Sequence, residues 1–200
     1  NQGHFQTSVV KLDSRGNIAW QKGYGFPSNG QFFIRRTAAG GYIVAVTTDN
    51  YPFPGHVRLM KLDSQGNFEW GKTFSAQGNS INSIEQTSDG GYIVVGRSAR
   101  GSYFNGPYIM KLDSEGNVRW VKDIYDVETD VETFWAVNIN SVIETSDGGY
   151  VAGGVVGHWP RHGFLLKVDS NYNVQWQRVY SYWRDTQLLS FQRTLDGGYI

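Results

Sequence analysis

One segment recurs four times along the chain: KLDSRGNIAW (11–20), KLDSQGNFEW (61–70), KLDSEGNVRW (111–120) and KVDSNYNVQW (167–176). A second recurs between its copies, as TAAGGYIVAV (37–46), TSDGGYIVVG (87–96), TSDGGYVAGG (145–154) and TLDGGYI (194–200). The tryptophans at 20, 70, 120 and 176 are 50, 50 and 56 positions apart. A period of that size means that one supersecondary unit is repeated and that each copy buries its apolar faces against its neighbours.

Each unit divides into four short strands, A to D. Ile81–Thr87 alternates, and Ser88-Asp89-Gly90-Gly91 supplies a turn. Tyr92-Ile93-Val94-Val95 is a continuous apolar run, as in a strand covered on both faces. Tyr108–Leu112 alternates, Asp113-Ser114-Glu115-Gly116-Asn117 turns the chain, and Val118–Lys122 is the fourth strand. No window has helical periodicity, so almost no helix is expected. Tandem four-stranded units predict an all-β fold: a β-propeller of four four-stranded blades, with the D-strand Trp filling the gap between adjacent sheets.

The pattern resembles the tandem KLD–GN–W and T-DGGY repeats of exported bacterial and archaeal propeller proteins, and the likeness covers the whole chain. The Asp-turn-Trp segment is also distantly similar to the tryptophan-docking blades of quinoprotein dehydrogenases. That chemistry needs an eight-bladed channel holding a quinone and calcium, commonly beside a vicinal disulfide. With no cysteine and half that length it is not carried over.

The chain opens on strands C and D and closes on A and B, so one blade is expected to be split between the termini. A single domain over 1–200 follows, with units at about 32–80, 81–138, 139–187, and 188–200 plus 1–31. Pairing the last strand B with the first strand C would close a ring and remove exposed edges. From the B-strand Tyr to the next D-strand Trp there are 28, 28 and 26 positions, against 21 across the termini. A segment of a longer propeller and a dimer sharing eight blades are therefore alternatives to the single ring.

Charge is balanced, 18 basic against 18 acidic. Nucleic-acid binding is not expected, because phosphates must be neutralised by basic groups. No apolar stretch approaches the ~18 residues of a spanning helix, so membrane insertion is not expected. With no cysteine there is no disulfide framework or Cys-based metal site. A start at Asn1-Gln2, together with the resemblance, points to an extracellular or cell-surface location.

The A–B and C–D turns, nearly uniform between copies, share one end of every blade. The B–C and D–A loops share the other end, and they diverge. That divergent end is aromatic, and the candidate binding residues lie there: Tyr51, Phe53, His56, Tyr103, Phe104, His158, Trp159 and Arg161 in B–C loops, and Phe134, Trp135, Tyr182, Trp183, Arg184 and Asp185 in D–A loops. Aromatic rings flanked by Asn, Asp and Arg suit a sugar's apolar face and hydroxyls, and equally a protein hot spot. The expected partner is a glycan or a protein, or a second copy in a homo-oligomer. No catalytic residue, metal ligand or cofactor is assigned.

Other features have simpler explanations. The carboxylates of Asp126, Glu128, Asp130 and Glu132 would share one face if extended, which suits a cation or a glycosidase pair; a solvated acidic loop is the plainer expectation. The DSxGN turns superficially resemble calcium loops, but hairpin chemistry accounts for them, with Asp accepting backbone N–H groups. In the fourth copy Tyr172 replaces the glycine, so Asn171 or Asn173 is expected to take the left-handed dihedral. Histidines 4, 56, 158 and 162 read as surface loop residues. Arg36, Gln86, Glu144 and Arg193 end the A strands around the axis, where pairing with one another is expected. The leading function is a non-enzymatic extracellular binding module. A structural subunit of a surface or filamentous assembly comes second, and a polysaccharide-acting hydrolase third.

Overall fold

The computed structural model describes residues 6–27, 31–50, 53–74, 80–99, 105–124, 126–128, 133–157, 159–181 and 185–200. Among these there is no helix. A hairpin of β1 (Gln6–Leu12) and β2 (Ile18–Pro27) comes first. The first complete sheet is β3 (Phe32–Arg36), β4 (Tyr42–Asn50), β5 (Phe53–Leu62) and β6 (Phe68–Phe74), hydrogen-bonded in chain order. The second is β7 (Ser80–Gln86), β8 (Tyr92–Ala99), β9 (Asn105–Leu112) and β10 (Val118–Asp123). The third is β12 (Thr133–Glu144), β13 (Tyr150–Val156), β14 (His162–Val168) and β15 (Val174–Tyr180), with the short β11 (Asp126–Glu128) added outside β12. Residues 185–200 end the chain with one bridge, Arg193 to Tyr199.

The repeat fixes the register. Tyr42 faces Leu62, Tyr92 faces Leu112 and Tyr150 faces Val168 across the central strand pair of each sheet. The apolar runs β8 and β13 are buried because both faces of each sheet are covered. Ile43, Ala45 and Leu59 of the first sheet meet Ile81, Val94 and Met110 of the second. Ile93, Val95 and Ile109 of the second meet Ile139, Ala152 and Leu166 of the third. At the two ends, Val9 and Tyr24 of the hairpin pack on Val44 and Met60, while Leu188 and Phe191 pack on Val151 and Leu165.

The D-strand tryptophans make these junctions alike. Trp20, Trp70, Trp120 and Trp176 each sit against the B-strand tyrosine of the following unit, with ring centroids 5.9, 6.1, 6.1 and 6.3 Å apart. The same ring also covers the next C–D turn. A Cβ on Gly66 would lie 2.9 Å from Trp20, and one on Gly116 2.8 Å from Trp70. These glycines are needed twice, for this close approach and for φ of +75° and +77°.

The third sheet departs from the expectation for its C–D turn. Tyr172 itself takes the left-handed dihedral, at φ 67°, and neither Asn171 nor Asn173 does. Its ring lies 5.7 Å from Trp120. The stacking contact that glycine makes possible elsewhere is here made by a second aromatic ring, which offsets the backbone cost.

All four Asp turns are built alike. Asp13, Asp63, Asp113 and Asp169 each accept two backbone N–H groups on Oδ1 and an Asn side chain on Oδ2. At the A–B turns, Lys111 Nζ reaches back to Thr87 Oγ1 (2.8 Å), Asp89 Oδ1 (2.9 Å) and Leu112 O (3.1 Å). Lys167 repeats this with Asp147 and Val168 O. In the first sheet Ala39 stands where the acid would be. There Lys61 turns to Glu69 at 2.9 Å, and Thr37 Oγ1 is buried without a hydrogen bond.

At the ends of the A strands Gln86 and Glu144 bond across junctions to the preceding A–B turn and not to each other, while one residue earlier Arg35 Nε of β3 meets Glu85 Oε1 of β7 at 2.6 Å. Gln86 Oε1 accepts Ala38 N (2.7 Å), and Glu144 accepts Ser88 N and Oγ (2.7 and 3.0 Å). The fold is thus all-β, a propeller-like stack of four-stranded sheets that do not close on one another. The expected pairing of the last strand with β1 is not formed: β1 pairs with β2, and Tyr199 bridges Arg193. Each half-sheet is held instead on its own sequence neighbour.

Two predictions follow from these contacts. Gly116→Ala costs about 2 kcal/mol, combining the left-handed penalty with the clash on Trp70. Gly16→Ala, where a Cβ would meet nothing within 4 Å, costs only about 1 kcal/mol; urea unfolding of both variants checks the difference. Burial opposes ionisation of Asp89, but hydrogen bonds from Thr87, Lys111 and Gly91 win and hold it at about 2. Asp147 is likewise lowered, by Thr145 first and then Lys167. A depressed folded pKa gives stabilisation that is complete above the unfolded value near 3.9 and is lost as pH falls through the folded one. The double variant Asp89→Asn, Asp147→Asn is therefore less stable at pH 7 and has a shallower decline between about pH 4 and 2, measured by denaturant midpoint against pH.

Candidate functional site

The antiparallel pairing of β14 with β15 sets residues just before a C strand beside those just after its D strand; Gly163 faces Tyr180. At this end of the third sheet the structure gathers the best-defined part of the expected site. Trp159 precedes β14 and is 72% exposed. The four tryptophans of the repeat are half-buried between sheets.

Arg161 and Asp185 form a two-pronged pair. Nη2 lies 2.8 Å from Oδ2 and Nε 3.1 Å from Oδ1, and Arg161 N also donates to Oδ1 at 3.0 Å. Thr186 N donates back to Arg161 O at 2.8 Å. The hydrogen bonds from Arg161 hold the Asp185 carboxyl below its usual range, and the same bond raises Arg161. Such a planar clamp fixes both partners in orientation as well as position. It pins the start of 185–200 over β14, where Leu188 lies against Gly163.

Beside the clamp, Ser181 Oγ and His162 Nδ1 are 2.8 Å apart. Sequence reasoning placed His162 in a loop and did not single out Ser181. Strand pairing is the signal that joins them, since His162 opens β14 and Ser181 directly follows β15.

His56 is half-buried in β5 opposite Thr48, on the first sheet. Phe53 lies in β5 opposite Asn50, and Phe134 and Trp135 lie in β12 opposite Val127 and Asp126; only their backbone is described. Tyr51, Tyr103, Phe104, His158, Tyr182, Trp183 and Arg184 lie outside the described residues. Of the acidic segment, 126–128 forms β11 and 129–132 falls outside the described residues. Among the described residues no group of three or more His, Cys, Asp or Glu is placed to hold a metal ion.

No family model matches the chain, and a search of curated proteins finds no match. The site must therefore be read from its own geometry. That geometry predicts that Arg161→Ala releases the segment beginning at Asp185. Amide exchange at Thr186 and Leu188 should quicken by about tenfold or more, with the strands of the second sheet unchanged.

Proposed function

We propose that the sheets are blades of a β-propeller and that the chain is a non-enzymatic extracellular binding module, recognising glycan through the aromatic end of its blades. The observation that carries this reading is the exposure of Trp159 beside a rigid Arg161–Asp185 clamp, at the end where the repeats diverge. A large exposed ring on a fixed support is the arrangement that stacking on a sugar face requires, and the neighbouring hydroxyl, imidazole and guanidinium groups suit its hydroxyls. Function on variable loops held by a uniform scaffold is the general pattern. The clamp leaves Asp185 saturated by Arg161 and Gln187, which favours holding a ligand over transferring a proton.

The test is a glycan array followed by titration of the best ligand. Wild type binds, and Trp159→Ala weakens binding by about tenfold or more, the loss of a contact worth roughly 1.4 kcal/mol. If wild type retains no glycan at millimolar concentration while an extracellular protein binds and Trp159→Ala abolishes that, the ligand is a protein. Binding unaffected by Trp159→Ala removes the site.

A further inference from the structure

On the face of the first sheet that receives the hairpin, strand pairing lays out two rows of side chains. Val46 of β4, Arg58 of β5 and Thr73 of β6 form one row, and Met60 with Gly71 forms the next. Paired residues share a face of a sheet, as do residues two apart on one strand. A cavity of about 240 Å³ is lined by these rows and by Phe68. Val46 and Met60 are buried, with Val9 and Tyr24 of the hairpin packed on them. Phe68 and Thr73 are exposed on the edge strand β6, so the cavity opens to solvent on that side.

The other copies fill the two positions that shape this cavity. The place of Arg58 is taken by Tyr108 in the second sheet and Phe164 in the third, 4% and 0% exposed. The place of Gly71 is taken by Val121 and Gln177, and by Gln21 in the hairpin. Gly71 has no positive φ that would call for glycine. A Cβ there would lie 3.2 Å from the Phe68 ring, so a larger side chain would enter the cavity. The first sheet has thus exchanged a buried aromatic ring for a guanidinium and removed the side chain beside it.

We propose that this cavity binds a small molecule with an aromatic body and one carboxylate. Met60 and the Phe68 ring suit an aromatic face. An apolar cavity of roughly 150 Å³ takes up benzene, so the volume here admits a ring, a short spacer and an acid group. Arg58 supplies the charge. Lys72, the other cation on the lining, turns its ammonium to Asn117 of the second sheet at 3.0 Å. No carboxylate is among the described residues that line the cavity. A guanidinium fork matches a carboxylate's geometry, and the Thr73 hydroxyl beside it adds a donor. The bound ring restores to the first sheet what Tyr108 and Phe164 give the others. The site uses neither Trp159 nor the Arg161–Asp185 clamp, so a failure of glycan binding leaves it standing.

The probe is phenylacetate, with phenylacetamide and phenethylamine as neutral and cationic analogues of the same shape. In a magnetic-resonance titration phenylacetate shifts the amides of Met60, Gly71 and Thr73 and saturates below about 10 mM. Arg58→Gln weakens it by about tenfold or more, the loss of a charge-assisted hydrogen bond, and leaves the weak binding of the amide analogue unchanged. Gly71→Val and Gly71→Gln install residues that other copies carry at this position. Both abolish binding while thermal unfolding stays cooperative. Equal binding of phenylacetamide or phenethylamine overturns the acid assignment, and binding that survives both Gly71 variants overturns the site. Absence of any shift at these amides with phenylacetate at about 10 mM overturns the proposal as a whole.

Discussion

Everything in this structure depends on one contact, the D-strand tryptophan wedged against the tyrosine and the C–D turn of the next unit. A four-stranded sheet of this size has two faces and too little apolar surface to stand alone. The tryptophan commits each sheet to its successor at a near-constant distance from the tyrosine ring, while its second contact varies from a turn glycine at Trp20 and Trp70 to the Tyr172 ring at Trp120. The Gly-Gly-Tyr turn and the Asp-built turn are the two halves of the socket that receives it. Their uniformity is a consequence of that shared role.

The strands, their order within each sheet and the docking tryptophans were legible because the repeat states them several times over. Spacing alone placed Trp70 against a following unit. Less legible were the features made by pairs distant in sequence. Nothing in the local composition joins His162 to Ser181, or Arg161 to Asp185, and only the pairing of β14 with β15 does so. Tyr172 was misread because a local rule assigns the left-handed dihedral to Asn. The ring of Trp120, many residues away, makes it worthwhile for a tyrosine.

Comparison among the copies also shows what the scaffold tolerates. The lysine–aspartate bond of the A–B turn is present in two sheets, and the first sheet replaces it with Lys61–Glu69 and leaves Thr37 without a partner. The junction there is nonetheless intact, with Trp70 on Tyr92. Electrostatic detail at the turn end can therefore drift while the aromatic contact does not. Local charge pairs of this kind contribute modestly beside the burial of whole sheet faces.

The Arg161–Asp185 clamp belongs to two structures at once. Arg161 stands on the third sheet, and Asp185 begins the half-sheet that docks on that sheet's outer face. Adherence of the terminal segment and the shape of the surface around Trp159 are therefore thermodynamically linked through one carboxylate. A ligand that selects the clamped geometry tightens the segment, and by reciprocity whatever tightens the segment raises affinity for that ligand. For the proposed ligand, affinity beside Trp159 and adherence of the terminal segment would then be two readouts of a single equilibrium.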